Sequence, residues 1–427
     1  MKKTALLFYI ICFLHVSFAG EGKLTLDNCI NIALEENKLY LAAKIDKDLA
    51  DLNLKKAVAV ALPEISAKSS YTNNGLLPET EFQGMKVTIG QKKIYSNSLS
   101  ISQPLFNRRT FILFKGAKIT VKSEQNKLSE EKNLLVFNVT EAFYGLLRAK
   151  KIVSLQKSAI DLMKEHLKNA EALFKNGIVI ETDVLGAEME LAKAEKNLLT
   201  ASQNEILAAE NLNLVLGRDP GYPLEIEEEL KEINYTDEGL DFYQNETKSK
   251  RPALKKIKED LLLAEENVSL ARAGYWPTFS IKGNYNWSDD KFVPGNDSWN
   301  IGLTADISLF NGGFTRIETR EAGYKLEQVK NQLWQNEQSV LLETKQAYMK
   351  LEETRQLVGV NKKIENIAEK NFEIIRKSYM AGLVPNTTVL EAYTALLEAR
   401  TNKVSSDYDY RIAVARLEKA VGISLID

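Results

Sequence analysis

The 427-residue sequence has very little cysteine or histidine. Its two cysteines are Cys12 and Cys29, and its two histidines are His15 and His166. One of each lies within the first 19 residues, which we expect to be removed, so an intramolecular disulfide is excluded. One remaining histidine also excludes a histidine-rich metal site and argues against Ser-His-Asp catalysis. The sequence has no Gly-rich phosphate loop, and no cofactor is expected.

The N-terminus has the features of a secretory signal. Two lysines precede the apolar run Thr4–Val16, and the small residues Ser17 and Ala19 follow it. We therefore expect cleavage after about Ala19. The alternative is a membrane anchor, but the run is short for a spanning helix and no stop-transfer charges follow. A lipoprotein would need a cysteine at the cleavage site, and neither cysteine is placed there.

Neither charge sign dominates, and long apolar runs are absent after residue 19. The whole chain has 56 basic and 58 acidic residues, and removal of the leader leaves 54 basic residues. No basic patch interleaves with aromatic residues, so nucleic acid is not an expected partner. No apolar run after residue 19 reaches 18 residues, so no membrane-spanning helix is expected.

The sequence repeats itself with an offset of 205 residues, with matches from Asn126 to Gly217 in the first copy. Matching pairs include Asn126 with Asn331, Ala142 with Ala347, Gly177 with Gly382, Asn197 with Asn402, and Gly217 with Gly422. Shared glycines and asparagines at one offset indicate a duplication. We predict a signal peptide at 1–19, a first repeat at 20–217, an acidic connecting segment at 218–250 and a second repeat at 251–427.

Each repeat predicts the order helix, strand, loop, strand, long helix, tight turn, long helix. In the first repeat an opening helix is expected from about Leu26 to Ala61, where Pro63 stops it. A long helix should run from about Arg108 to Lys175, roughly 100 Å at 1.5 Å per residue. The expected returning helix ends near Leu216, and the second repeat should have its long helices at about 313–380 and 389–421. Two adjacent apolar stripes favour a helix with a neighbour on each side, as in a cylinder wall, over an ordinary bundle core.

The segment Arg218–Glu246 has a different composition from both repeats. It contains ten acidic and two basic residues, with proline and glycine breaks. No helical or strand periodicity is evident in it. We interpret it as a solvated connection, which is the usual meaning of such a charge run.

Four segments alternate between apolar and polar residues: "EISAKSSYT", "YSNSLSIS", "FSIKGNYNW" and "WNIGLTADISLF". Each is close to the roughly 9–11 residues of a membrane β-strand. A soluble sheet packed on helices would also alternate, but rows of Ser, Asn and Lys suit a water-filled lumen. The residues predicted to face lipid are Phe279, Ile281, Tyr285, Ile301 and Leu303. Those predicted to face the lumen are Ser100, Lys282, Asn284 and Thr304.

Four strands cannot close a barrel, and an open sheet edge cannot lie in lipid. Two copies would supply eight strands, whose interior side chains fill. Three copies would supply twelve strands and leave room for a channel. We therefore predict a homotrimer with a mainly α mixed fold, in which a membrane β-barrel continues into a long α-helical barrel.

An ordered set of motifs resembles the outer-membrane efflux protein (TolC-like) family over essentially the whole mature chain. The motifs are "LTLDNCINIALEENKLY", "SQPLFN", "FKNGIVIETDVL", "RPALKKIKEDLLLAEENVSLARAGYWPTFSIKG", "LTADISLFNGG" and "YMAGLVPNTTVL". Asn107 and Asn311 are plausible helix caps at the strand-to-helix junctions. The resemblance implies a trimeric exit duct in a Gram-negative-type outer membrane, with its helices in the periplasm. It implies a periplasmic adaptor and an inner-membrane pump as partners, and leaves open a proton-driven pump, an ATP-driven transporter or type I secretion.

The two tight turns place apolar residues at the ends of the long hairpins, which the resemblance identifies as periplasmic tips. The turn residues are Gly177, Ile178 and Val179 in the first repeat, and Gly382, Leu383 and Val384 in the second. Each glycine suits a left-handed helix end. The apolar residues either fold back as cap contacts or dock a partner's helical hairpins.

A gate is predicted at the same tips. The resemblance matches Asp183 to an aspartate that is tied to a neighbouring hairpin, and Tyr379 is the natural hydrogen-bond donor to it. Threefold symmetry would turn Glu391 into a ring of three carboxylates that favours cations. The alternative for Glu391 is a capping box with Thr388 at the helix start.

Two function classes other than a passive channel would require different sequence features. A periplasmic adaptor or coiled-coil scaffold would share the long hairpins but lack four alternating strands. A hydrolase would need a nucleophile and a base. His166 lies in a helical run, where a surface or seam position is expected, so no enzyme activity is predicted.

Overall fold

The computed structural model describes residues 23–227, 238–292 and 297–423. Its helices are Leu26–Glu36 (α1), Lys38–Ala59 (α2), Arg108–Lys175 (α3), Glu181–Leu216 (α4), Leu240–Lys250 (α5), Pro252–Arg272 (α6), Phe314–Met380 (α7) and Asn386–Val421 (α8). Its strands are Glu64–Asn73 (β1), Glu79–Phe82 (β2), Met85–Thr88 (β3), Lys93–Phe106 (β4), Thr278–Asp289 (β5) and Asp297–Asp306 (β6). The expected mainly α fold with a small sheet is confirmed. The predicted signal peptide lies outside the described residues.

The chain divides into two compact units. One comprises Met1–Asn37, Leu135–Asn234 and Thr354–Ile412. Its apolar core joins parts of α3, α4, α7 and α8, with Met163 and Val389 fully buried. The other unit comprises Lys38–Leu134, Tyr235–Glu353 and Ala413–Asp427.

The single opening helix predicted for the first repeat is wrong. The backbone at Asn37 is extended, with φ −65° and ψ 120°, and it separates α1 from α2. The Asn37 side chain donates to the Val215 carbonyl over 2.9 Å, a bond to another element that a continuous surface helix would not need. The second repeat has the same break at Arg251, with φ −56° and ψ 119°. The break is therefore part of the duplicated design.

Four of the strands form one antiparallel sheet in the order β1-β4-β5-β6. Its outer strands β1 and β6 each have one unpaired edge in the described chain. The sequence analysis missed the hairpin β2–β3, which lies in the loop between β1 and β4. Its turn residues Gln83 and Gly84 both have positive φ, of 52° and 76°, as a two-residue hairpin turn requires.

The last strand is shorter than predicted. It ends at Asp306, which pairs with Thr278, whereas the expected strand continued through Phe310. The residue before Thr278 is Pro277, which has no N–H to donate and therefore ends the ladder.

The connecting segment is more structured than its acidity suggested. Ile226 is buried and pairs in parallel with Leu24. Helix α5 begins at Leu240, and its Tyr243 is buried against Tyr348 with ring centroids 5.8 Å apart. A few apolar residues therefore anchor a segment whose charges dominate its composition. Residues 228–237 of this segment lie outside the described part.

Candidate functional site

The sheet register puts the two predicted sets of strand residues on opposite faces. Ile281 pairs with Leu303, Tyr285 with Trp299, and Leu99 with Tyr285, so the apolar side chains share one face. All five residues predicted to face lipid lie on that face: Phe279, Ile281, Tyr285, Ile301 and Leu303. Their fractional exposure of 36–73% shows that no other part of the described chain covers them fully.

The opposite face carries continuous polar rows. Ser66, Ser100, Asn284 and Asn300 lie side by side across all four strands. The Asn284 side chain donates to the Asn300 carboxamide oxygen over 3.0 Å. Lys282, Ser100, Asn284 and Thr304, which were predicted to face the lumen, share this face. A sheet with one apolar and one polar face separates lipid from water if the sheet is closed.

Both hairpin tips end their long helix in the same way. Gly177 has φ +68° and Gly382 has φ +72°, the left-handed conformation expected of a helix-ending glycine. In the second tip the Leu383 N–H donates to the Ser378 carbonyl, and the Gly382 N–H donates to the Tyr379 carbonyl, each over 2.9 Å. The first tip repeats both bonds. This pattern satisfies the last carbonyl groups and leaves the next side chain pointing away from the helix.

The apolar tip residues divide into two groups. Val179 and Val384 pack against the buried core that joins the four helices. Ile178 and Leu383 are 55% and 76% exposed. Both side chains therefore present apolar surface to solvent in the single chain, and the two alternatives of cap contact and partner docking stay open. A β carbon at Gly382 would lie 3.5 Å from Ile178 Cγ2, so the two tips touch each other.

The predicted gate residues occupy different environments. Tyr379 is buried, and its hydroxyl has no hydrogen-bond partner among the described residues. Burial raises the pKa of Tyr379, and the nearby Asp183 carboxylate raises it further. The two groups are thus close, but the predicted bond between them is not made within one chain.

Glu391 is exposed on α8, and the capping-box alternative for it is wrong. The helix begins at Asn386, and the Thr388 N–H already donates to the Pro385 carbonyl over 3.2 Å. Thr388 therefore lies inside the first helical turn rather than at the cap. Glu391 is consequently free of the capping role that competed with the predicted ring.

The sequence analysis missed a polar junction between the two hairpins. His166 of α3 is 6% exposed, and its Nε2 lies 2.7 Å from Oδ1 of Asn386, which is 2% exposed. The Asn386 Nδ2 donates to the backbone carbonyl of Asp183 over 2.9 Å. His166 is thus a seam residue, one of the two positions expected for it. The only sequence signal was the unexplained glycine in the helical stretch "VLGAEM", at Gly186, where a β carbon would lie 3.1 Å from Asn386 Nδ2.

A second buried tyrosine, Tyr393, belongs to the same apolar core as Tyr379. The Tyr393 hydroxyl of α8 also has no hydrogen-bond partner among the described residues. Burial raises the pKa of Tyr393 to about 12, with Glu190 of α4 as a second cause. Both tyrosines are therefore neutral donors at physiological pH.

Within the part of the chain that the structure describes, no group of three or more His, Cys, Asp or Glu side chains could hold a metal ion. Among the helices of residues 23–227, 238–292 and 297–423, none has a stretch long and apolar enough to cross a membrane.

Comparison with known proteins identifies relatives along nearly the whole chain. The alkaline protease secretion protein AprF of Pseudomonas aeruginosa is 24% identical over 345 residues, covering 77% of this chain and 70% of AprF. The outer membrane protein TolC of Vibrio cholerae is 20% identical over 402 residues, covering 92% of this chain and 89% of TolC. The crystal structure of the Campylobacter jejuni CmeC outer membrane channel superposes with a TM-score of 0.81 at 18% identity, covering 94% of this chain and 86% of CmeC.

The family model for outer membrane efflux proteins matches residues 29–218 and 244–423. These two ranges include both long helical hairpins and all six strands. The resemblance seen in the sequence motifs is thereby confirmed. The chain belongs to the outer membrane efflux protein family.

Proposed function

We propose that this protein forms a homotrimeric exit duct through the outer membrane. The observation that carries the proposal is the four-stranded sheet, which has one apolar face, one polar face and two unpaired edges. Unpaired edges are not tolerated in lipid, so β1 of one copy must pair with β6 of another. Three copies close a twelve-stranded barrel with room for a water-filled lumen.

Exposed apolar stripes on the helices support the same assembly. Val360, Ile367 and Ile374 of α7 are spaced seven residues apart and are 48–68% exposed. On α4, Leu199 and Ile206 are seven residues apart, Leu185 lies two such intervals before Leu199, and the three are 51–64% exposed. Seven-residue apolar spacing is the pattern of a helix seam that a neighbouring helix covers. Helices of adjacent copies would complete an α-helical barrel in the periplasm.

The duct is passive and takes its energy from partners. The matched family is one of transport channels rather than enzymes. The exposed tip residues Ile178 and Leu383 would dock a periplasmic adaptor, which joins the duct to an inner-membrane pump. AprF is a protease secretion protein and the matched family is one of efflux proteins, so protein secretion and small-molecule efflux are both candidate roles.

We also propose that the hairpin tips form a gate. Asp183, Tyr379 and Glu391 lie at or near the tips, where three copies would bring them around one axis. Glu391 would supply a ring of carboxylates that favours cations. The phenol of Tyr379 would find its hydrogen-bond partner in the assembled or resting trimer.

The experiment is a purification from outer membranes followed by measurement of mass and conductance. A detergent-solubilised particle of three chains that conducts ions in planar bilayers is expected. Thr304→Cys should react with a water-borne thiol reagent, and the adjacent Leu303→Cys should not. A conductance-free monomer, or equal labelling at both positions, would contradict the proposal.

A further inference from the structure

The junction of His166 and Asn386 joins the two hairpins of one chain through side chains that are almost fully buried. Asn386 is the first residue of α8, and its carboxamide reaches across to α3 and α4. Its Nδ2 donates to the Asp183 carbonyl, which can only accept. The carboxamide oxygen therefore faces His166, and the imidazole must carry its proton on Nε2 and donate it. The tautomer and the amide orientation follow from this one network.

The surroundings of the junction bring in the remaining helix. The His166 ring lies against the Tyr379 ring of α7, with centroids 5.3 Å apart. Gly186 of α4 leaves the space that Asn386 occupies, since a β carbon there would lie 3.1 Å from Nδ2. A glycine in a helix interior is unfavourable and usually has a packing reason. All four helices of the two hairpins thus contribute to one small polar site.

The bonded group of Asp183 is its backbone carbonyl, whereas its carboxylate has no hydrogen bond among the described residues. This differs from a gate in which the Asp183 side chain is the tie. An exposed ion pair, Glu165 with Arg376 at 3.4 Å, also links α3 to α7. Exposed pairs contribute little, while a buried group left without its partner is costly. The buried junction of His166 and Asn386 is therefore a stronger connection between the hairpins than the exposed ion pair beside it.

We infer that Asn386 and His166 are positioning residues of the gate: together they form a clasp that holds the α7–α8 hairpin against the α3–α4 hairpin and keeps the channel mouth narrow. This inference rests on the proposed duct. Widening the mouth separates the hairpins and breaks both bonds of Asn386. Separation then exchanges these bonds for bonds to water and exposes the apolar side chains packed around them, so the resting state is favoured until a docked partner compensates.

The test compares four variants by single-channel recording. Asn386→Ala removes both bonds, and His166→Phe keeps a ring beside Tyr379 but removes the donor. Each should raise the open probability about tenfold, the effect expected of one buried hydrogen bond. His166→Gln restores an N–H donor and should behave closer to the parent protein. Asn361→Ala is the matched control, because Asn361 donates to the Asn402 carbonyl within a single hairpin over 3.3 Å.

A further variant guards against loss of folding. Gly186→Ala favours the helix, and its β carbon, 3.1 Å from Asn386 Nδ2, crowds the carboxamide without removing a polar group, so the variant should assemble fully and still raise the open probability. The double variant Asn386→Ala with His166→Phe should not exceed Asn386→Ala alone, because that substitution already removes both bonds of the junction. Assembled trimers of Asn386→Ala and Gly186→Ala with unchanged gating would overturn the clasp. A parent protein that forms no channel would instead overturn the proposed duct.

Discussion

Gly217 and Glu36 approach so closely that a β carbon at Gly217 would lie 2.5 Å from the Glu36 carbonyl oxygen. Gly217 has φ +90° and ends the returning helix of the first repeat. It lies against the break between α1 and α2. The second repeat has the same arrangement, since a β carbon at Gly422 would lie 3.2 Å from Cα of Arg251. Each returning helix therefore ends on the break between the two opening helices of its own repeat.

Alanine at Gly217 and at Gly177 should have unequal costs. Both residues have the left-handed backbone conformation, so each substitution costs about 1–2 kcal/mol of conformational strain. Gly177 has no atom within 4 Å of the new β carbon, whereas Gly217 meets backbone atoms that cannot move aside. We expect Gly217→Ala to lose about 1–3 kcal/mol more than Gly177→Ala. Denaturant unfolding of both variants measures the difference, and equal midpoints would mean that the close approach is relieved.

Arginine should be tolerated on one face of β6 and not on the other. Leu303→Arg places a charge on the apolar face and should cost roughly 2–4 kcal/mol of barrel stability near the membrane centre. Thr304→Arg is the matched control on the polar face and should cost much less. Unfolding of both variants from lipid vesicles gives the comparison. Equal losses would show that neither face lies in lipid.

Charge at the exposed tips should separate export from assembly. Leu383→Asp together with Ile178→Asp should abolish export, because a docking partner would have to bury carboxylates. Trimers should still form, since both side chains are exposed in the chain. Thr387→Asp adds the same charge nearby, in the first turn of α8, and should leave export intact. Export is measured by susceptibility to a pumped toxic compound, and its persistence in the double variant would place docking elsewhere.

The role of Tyr379 in the gate can be tested by measuring both stability and conductance. Tyr379→Phe removes a buried hydroxyl that has no partner within the chain, so the unfolding free energy of the single chain should not fall. If the hydroxyl is bonded between copies, single-channel conductance should rise, and Asp183→Asn should act in the same direction. Glu391→Gln should lower cation preference. Unchanged conductance in the first two variants would rule out this tie while leaving the trimer intact.

Acid should weaken the protein through His166. Burial lowers the pKa of His166 below 6.5, although the Asn386 hydrogen bond partly opposes this. The unfolded chain then binds a proton at a higher pH than the folded chain, so stability is complete above about pH 6.5 and falls as the pH drops below it. His166→Gln should show a smaller loss between pH 7 and 5. If the predicted signal peptide is removed together with His15, no other histidine remains, and the difference between the two unfolding curves isolates this group.

Periodicity was enough to predict most of the secondary structure. The bounds of α3 were predicted correctly, because apolar spacing, the turn glycine and the strand-to-helix asparagine agree. Asn107 does cap α3, accepting from the Arg109 N–H over 3.0 Å. The break at Asn37 was missed because its cause is the distant Val215 carbonyl. The hairpin β2–β3 was missed because its strands have four residues each, too few for a clear alternation.

The site was harder to predict than the fold. The two faces of the sheet could be assigned because each strand alternates and the register keeps the alternation aligned. The junction of Asn386 and His166 joins residues 220 positions apart, and no local pattern connects them. One signal lay in the repeat itself. Gly186 corresponds by the 205-residue offset to Glu391, so the first repeat has the smallest side chain at the position where Asn386 needs room.

The hairpin β2–β3 makes the loop between the two strands of the first repeat longer than the loop of the second. The loop between β1 and β4 has 19 residues, while the loop between β5 and β6 has seven. The turn at Gln83 and Gly84 is exposed at the end of the sheet away from the long helices, where added chain length has a small entropic cost. In the proposed trimeric duct, an epitope grafted there would be carried in three copies around one axis, on the side of the membrane opposite the long helices. The first repeat thus offers a long loop that can carry an insertion, whereas the corresponding loop of the second repeat is much shorter.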